Sequence, residues 1–144
     1  MKTWFTAVQF TPTQWDTAEG KAKFATHFMR FLESEFKQTL FQKWFYRKLS
    51  NTFGHIAHFD IHGFWSEFFE TTRDKVKFLK QTIQPWTGFA GDPAYTYSDV
   101  ERAIAEQVQA SGYLAQWETR LEGEVESAER SQLAHLKSKY EKPS

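Results

Sequence analysis

Residues 16–32 read DTAEGKAKFATHFMRFL, and this stretch decides the fold class of the chain. Its first four residues, 16–19, have the form of a capping box, in which a polar side chain and an acid three residues later bond the first amides of a helix. Phe24, Phe28 and Phe31 then recur at the three- and four-residue spacing of one helix face. The stretch therefore predicts a long first helix.

The same signals recur toward the C-terminus. Residues 98–101, SDVE, form a second possible capping box, and the helix that follows should end near Gly112. A further amphipathic stripe runs along a charged segment and consists of Leu114, Trp117, Leu121, Val125 and Ala128. These patterns predict an all-α, bundle-like domain of four to six helices, with at most a short strand in residues 4–10.

Length and composition predict one domain, residues 1–144, with an aromatic core. The chain has 144 residues, of which 40% are hydrophobic, and it contains 15 Phe and 6 Trp. A chain of this length buries roughly two thirds of the surface that it exposes when unfolded. Each buried aromatic ring removes about 150–250 Å² from water, so the rings should supply most of the core.

The chain divides into an aromatic-rich part, 1–83, and a charged helical part, 98–144, because every phenylalanine precedes residue 98. The join, residues 84–97, contains two glycines and two prolines, which favour turns. It also holds Trp86, Phe89, Tyr95 and Tyr97. We expect an ordered, packed loop here, and a binding loop is the alternative.

Several classes of protein lose support from what the sequence lacks. There is no cysteine, so disulfides and thiolate chemistry are excluded. No Gly-x-Ser-x-Gly or phosphate-loop motif occurs, and no apolar run is long enough to cross a membrane. The formal net charge is zero, which argues against bulk electrostatic binding of nucleic acid. We expect a soluble, cytoplasmic protein with no association with membranes.

Residues 53–69, FGHIAHFDIHGFWSEFF, concentrate three histidines among six aromatic rings. The apolar spacing from Phe53 to Phe68 predicts one helix, on which His55, His58 and His62 share a face. His55 and His62 would lie about 10.5 Å apart along that helix, too far for one ion to bind all three. The usable pair is His58 with His62 at i, i+4, the spacing by which zinc-protease helices present two imidazoles.

No cofactor is expected, although this pair makes a divalent metal such as zinc an alternative. The glutamate of the His-Glu-x-x-His motif is absent, because Phe59 follows His58. Further ligands would have to come from distant residues such as His27, Asp99 or His135. Two other interpretations are open: hydrogen-bonded structural histidines, or a switch that gains charge on mild acidification.

Residues 36–48 mix bases with aromatic rings, a combination that can pair with phosphates and stack on nucleobases. The bases are Lys37, Lys43, Arg47 and Lys48. They form no continuous stripe on one helix, so either a helix breaks near Thr39 or the lysines extend past apolar surface. Binding of nucleic acid through this segment is a further alternative function.

The absence of catalytic motifs favours a non-enzymatic, partner-binding helical protein. We expect an accessory subunit or an inhibitor of a larger protein or nucleoprotein assembly, or a protein that associates with itself. The predicted partner-binding residues are Trp86, Phe89, Tyr95 and Tyr97 of the loop and Glu118, Glu122 and Glu126 of the last helix. A metal-binding protein or metal-dependent enzyme that uses His55, His58 and His62 is the alternative.

Overall fold

The computed structural model describes residues 4–52, 60–82 and 92–140. Six α-helices follow one another in this part of the chain: α1 (Ala18–Glu33), α2 (Lys43–Thr52), α3 (Ile61–Phe68), α4 (Thr72–Lys77), α5 (Ser98–Ser111) and α6 (Tyr113–Tyr140). Short 3-10 turns lie at Ala7–Gln9 and Gln38–Leu40, and a π-helical turn at Phe78–Thr82 continues α4. The described residues contain no strand, and the all-α prediction is confirmed.

Helix α1 lies at the centre of the fold. Its apolar positions recur every three or four residues, and Phe24, Phe28 and Phe31 are completely buried. The predicted capping box at residues 16–19 is wrong, because the N-cap lies one residue later and the third residue after it, Gly20, has no side chain to complete the box. Thr17 is the N-cap, and its hydroxyl accepts a hydrogen bond from the Gly20 amide at 2.9 Å. Asp16 does not cap the helix, because its carboxylate pairs with Lys48.

The core is aromatic, as composition predicted. Phe31 contacts five other rings, with centroids 5.2–6.2 Å away: Phe36, Phe41, Phe45, Trp65 and Phe69. Most of these pairs are tilted or edge-on, the arrangements that the charge distribution of aromatic rings favours. Val100, Ile104 and Val108 of α5 join the same buried cluster. The aromatic first part of the chain and the first helix of the charged part therefore share one core.

The end of α1 contains two consecutive residues in the left-handed region, Glu35 (φ 61°) and Phe36 (φ 60°). The Phe36 amide donates to the Phe31 carbonyl and the Glu35 amide donates to the Leu32 carbonyl, which is the hydrogen-bond pattern of a Schellman motif. The Phe36 ring packs on Phe31 across the turn at 5.2 Å. Burial of that ring offsets the backbone cost of placing a glutamate where glycine is usual.

Residues 36–48 do not form one helix. The Gln38–Leu40 turn interrupts the chain, and α2 begins only at Lys43. Of the two alternatives that the sequence left open, the break near Thr39 is confirmed. The break lets Phe41 and Phe45 both face the core, where they are 7% and 0% exposed.

The predicted continuous helix over residues 53–68 is wrong. Helix α3 begins at Ile61, and Asp60 at its N-cap has an extended backbone (φ −81°, ψ 176°). The Asp60 carboxylate accepts a hydrogen bond from the Gly63 amide at 2.6 Å. Aspartate is among the strongest N-cap residues, so this local bond outweighs the apolar periodicity that runs through the segment.

Helices α5 and α6 are joined by Gly112, whose left-handed conformation (φ 72°) ends α5 where the sequence predicted. The second predicted capping box is wrong, because Tyr97 is the N-cap and no side chain caps the helix. Helix α6 has 28 residues and packs against α4 and α5 with its first part. From Glu122 to Tyr140 every residue is exposed. Residues 122–140, about two thirds of α6, therefore lie outside the core of the protein.

None of the described helices combines the length and the apolar character that a transmembrane helix needs. The longest, α6, carries charged residues along its whole length.

Candidate functional site

The histidine cluster is only partly within the described residues. His55 and His58 lie outside them, and His62 is exposed on the first turn of α3. Within residues 4–52, 60–82 and 92–140, no three histidine, aspartate or glutamate side chains converge on a point that suits a metal ion. The proposed metal pair stays a prediction, and it loses the single-helix geometry from which the i, i+4 spacing was inferred.

Two of the distant residues named as further ligands are engaged elsewhere. His27 Nε2 lies 2.6 Å from the Leu40 carbonyl oxygen, so this nitrogen carries a proton and donates it. The ring packs between Trp44 and Phe45, and burial lowers the pKa of His27 below its ordinary value. Asp99 is paired with a lysine, as described below. His135 is exposed on α6.

The basic-aromatic segment turns most of its rings inward. Phe36, Phe41 and Phe45 belong to the buried core and cannot stack on a nucleobase without unfolding. The partly buried Trp44 ring has Lys23 Nζ over it at 4.9 Å. The predicted bases are divided: Lys37, Lys43 and Arg47 are exposed, whereas Lys48 is partly buried. Nucleic-acid binding here stays a prediction, without the ring and base combination that suggested it.

A buried lysine that sequence reasoning missed organises one end of the fold. Lys21 on α1 is 0% exposed, and its ammonium donates to the carbonyls of Pro93 and Thr96 and to Asp99 Oδ1, at 2.8–3.0 Å. The second oxygen of Asp99 accepts the Thr11 amide at 2.9 Å. Three separated parts of the chain are thereby joined through one fully hydrogen-bonded charge.

A second pair extends this cluster. Lys48 pairs with Asp16 and donates to the Tyr97 hydroxyl at 3.4 Å. Burial, together with the nearby carboxylate of Asp16, raises the pKa of Tyr97 above its ordinary value. Lys21 is completely buried, so a ligand cannot reach its ammonium group. We therefore interpret the Lys21–Asp99 pair as structural rather than catalytic. One signal was visible in the sequence: Lys21 lies on the apolar face of α1.

The structure describes only the last part of the predicted partner-binding loop, from residue 92 onward. Trp86 and Phe89 lie outside the described part of the chain. Tyr95 is 70% exposed, whereas Tyr97 packs edge-on against Phe24 with centroids 6.1 Å apart. Tyr95 is therefore available to a partner, whereas Tyr97 is partly buried against the core. Trp15, in a surface cleft formed by residues 12–19, is 74% exposed.

The base of α6 is held firmly against the body. The Trp117 ring has Lys75 Nζ at 5.0 Å and the Arg120 guanidinium at 4.8 Å from its centroid, and Phe36 packs edge-on at 5.3 Å. Arg120 also pairs with Glu35. Burial, and then the charge of Arg120, lower the pKa of Lys75. These contacts hold the first part of α6 against the body and thereby set the direction of residues 122–140.

The predicted acidic residues of α6 differ in exposure. Glu118 is partly buried, while Glu122 and Glu126 are exposed. Thr72 donates to Glu124 Oε2 at 2.5 Å, which is the last hydrogen bond described between α6 and the body. Further along, Glu126 pairs with Arg130 one turn later on the same helix.

Apolar side chains continue along α6 after the body ends. Val125 is 39% exposed, Leu133 64%, Leu136 41% and Tyr140 75%. The stripe that begins with Leu114, Trp117 and Leu121 packs on the core in its first part. Its continuation, with Ala128, faces solvent. The same helix face thus packs on the core in the first part of α6 and is exposed to solvent in the rest.

The comparisons with known proteins do not extend this picture. The sequence matches no protein-family model, and no curated protein or solved structure shows significant similarity to it. Residues 122–140 of α6 carry exposed apolar side chains that packing within the described part of the chain does not cover.

Proposed function

We propose that this chain is a non-enzymatic, partner-binding helical protein that docks through the exposed residues 122–140 of α6. The observation that carries the proposal is a stripe of apolar side chains on the part of α6 that does not pack on the core. Val125, Leu133, Leu136 and Tyr140 are 39–75% exposed along this segment. A row of apolar residues on a projecting helix is a common anchor for a protein partner.

The energetics of the segment support a docking role. Tertiary packing normally supplies most of the stability of a helix in a protein, and residues 122–140 are all exposed. Gly123 costs about 1 kcal/mol relative to alanine inside a helix. Glu118, Glu122 and Glu126 add like-charge repulsion at i, i+4, roughly a few tenths of a kcal/mol for each pair. A partner that covers the apolar stripe stabilises a helix that its own chain supports weakly.

Capture of partners from a native lysate tests the proposal. Tagged full-length protein should retain a partner, either another protein or an untagged copy of itself. The variant Leu136→Glu should lose it, because a carboxylate is placed in the middle of the stripe. Leu136 is 41% exposed and lies outside the core, so circular dichroism should show the helical content of the parent.

The matched control is Ala134→Glu, which adds the same charge to an exposed position on the opposite face of α6. This variant should retain what the parent retains. Equal capture by all three proteins would place the binding surface away from α6. Capture of nothing by any of them would contradict a partner-binding function.

A further inference from the structure

Acidic and basic residues are separated along residues 122–140 of α6. Residues 122–130 carry four glutamates against one arginine, and residues 131–140 carry two lysines and one histidine with no acid. The four acids are Glu122, Glu124, Glu126 and Glu129, and the lysines are Lys137 and Lys139. The segment is therefore acidic near the body and basic toward its tip.

This arrangement is complementary to itself in one orientation only. Two copies side by side and parallel would place acid beside acid and base beside base. Two antiparallel copies place the acidic part of each helix beside the basic part of the other. Interfaces that align opposite charges select orientation and suppress the alternative pairing.

The apolar stripe has the same two-fold property. Val125 and Leu136 are 11 residues apart, about three helical turns, so both lie on one face. A two-fold axis that crosses the helix pair near Arg130 and Ser131 places Val125 of each copy beside Leu136 of the other. Ala128 lies between them and allows the helices to approach closely.

We infer that the occupant of the exposed α6 face is a second copy of this chain, paired antiparallel over residues 122–140. The inference rests on the proposed docking function and names its partner. The pairing is isologous, because each helix uses the same residues. A two-fold interface of this kind gives a closed dimer and not a filament.

The size of the surface sets the strength of the pair. Nineteen residues span about 28 Å, so a contact strip roughly 10 Å wide covers about 300 Å² of each helix. Stable interfaces bury about 800 Å² on each partner. The dimer should therefore be weak and reversible, with dissociation in the micromolar range or above.

Analytical ultracentrifugation of the full chain tests the association. Between about 5 and about 500 µM the parent should shift from monomer toward dimer, since weak interfaces dissociate over this range. Leu136→Glu should weaken the association at least tenfold, because both copies lose an apolar contact. Ala134→Glu should dimerise like the parent. A parent that stays monomeric, or a Leu136→Glu variant that dimerises normally, would overturn the inference.

Single cysteines report the orientation, and they can be introduced cleanly because the chain has none of its own. Gln132→Cys lies near the two-fold axis and should form a disulfide-linked dimer on mild oxidation. Lys139→Cys should not, because in an antiparallel pair the two sulfurs lie roughly 25 Å apart along the helices. Efficient crosslinking through position 139 would show parallel pairing and reject the proposed arrangement.

The two proposals fail separately. A protein that remains monomeric in the centrifuge and yet captures another protein through Leu136 would reject the second copy and retain the docking function. Association that Leu136→Glu leaves unchanged would reject α6 as the docking surface for both.

Discussion

Single residues in this protein take their roles from burial rather than from their chemical type. Lys21 and Lys43 are both lysines on helices, but the first is a completely buried anchor with three hydrogen-bond acceptors and the second is exposed. A buried ammonium is tolerated only when its donors are satisfied, and the carbonyls of Pro93 and Thr96 with the Asp99 carboxylate satisfy them. The histidines were the strongest candidates for a metal site in the sequence, but in the described part of the chain they belong to no cluster that could hold a metal ion.

Glu101 gives a prediction about pH. Burial raises the pKa of this carboxyl from its ordinary value of 4.5 to about 7. Between these two values the folded protein binds more protons than the unfolded chain, so the free energy of unfolding falls as pH rises and is level above about 7. Glu101→Gln should remove this slope and be more stable than the parent at about pH 8, by about 1 kcal/mol after allowance for partial exposure.

Urea unfolding at a series of pH values measures this effect. Burial lowers the pKa of His27, which produces the opposite slope, a loss of stability as pH falls below 6.5. Both proteins keep His27, so the difference between them isolates Glu101. Glu106→Gln, on the exposed face of the same helix, controls for the loss of a surface charge. Parallel curves for Glu101→Gln and the parent would contradict the prediction.

At the scale of elements, helix ends depend on local bonds that outrank apolar periodicity. Asp60 starts α3 in the middle of a stretch whose spacing predicted an uninterrupted helix. Gly112 separates α5 from α6 because it adopts a left-handed conformation, whereas Gly123 lies within α6 and needs no special conformation. The two glycines therefore respond differently to the same substitution.

Gly123→Ala should stabilise the protein, and Gly112→Ala should destabilise it, by about 1 kcal/mol each. A Cβ added at either position meets no atom within 4 Å, so steric overlap does not decide the outcome. At Gly123 alanine improves helix propensity, while at Gly112 it must adopt a positive φ of 72°. Thermal unfolding of the pair measures both effects. A shift in the same direction for both variants would show that backbone conformation is not the cause.

At the scale of the whole molecule, stability should be distributed unevenly. The side chains of Phe28 and Phe31 are completely buried, whereas residues 122–140 are exposed, and the described hydrogen bond that ties them to the body is the one from Thr72 to Glu124. In dilute solution the amides of this segment should exchange by local fraying, and those of residues 24–32 only by global unfolding, which costs about 5–15 kcal/mol in typical proteins.

Hydrogen exchange at two protein concentrations tests this distribution. Protection over residues 126–138 should be low in dilute solution and should rise with concentration, because pairing covers the helix. In Leu136→Glu it should stay low at both concentrations, while α1 is unaffected. Strong protection of this segment in dilute parent protein would show that the helix is stable without a partner.

The sequence by itself determined the helical class, the aromatic core, α1, the Gly112 junction and the stripe along α6, because spacing and strong local signals specify these features directly. Tertiary structure decided which side chains are available. The Lys21–Asp99 pair joins residues 78 positions apart, and in the same short loop Tyr97 is partly buried against the core while Tyr95 is exposed. It also decided where the body ends beside α6, so that one continuous stripe packs on the core as far as Leu121 and is exposed from Val125 onward. Periodicity records that a face is apolar, but only the packed chain determines how much of that face its own helices cover.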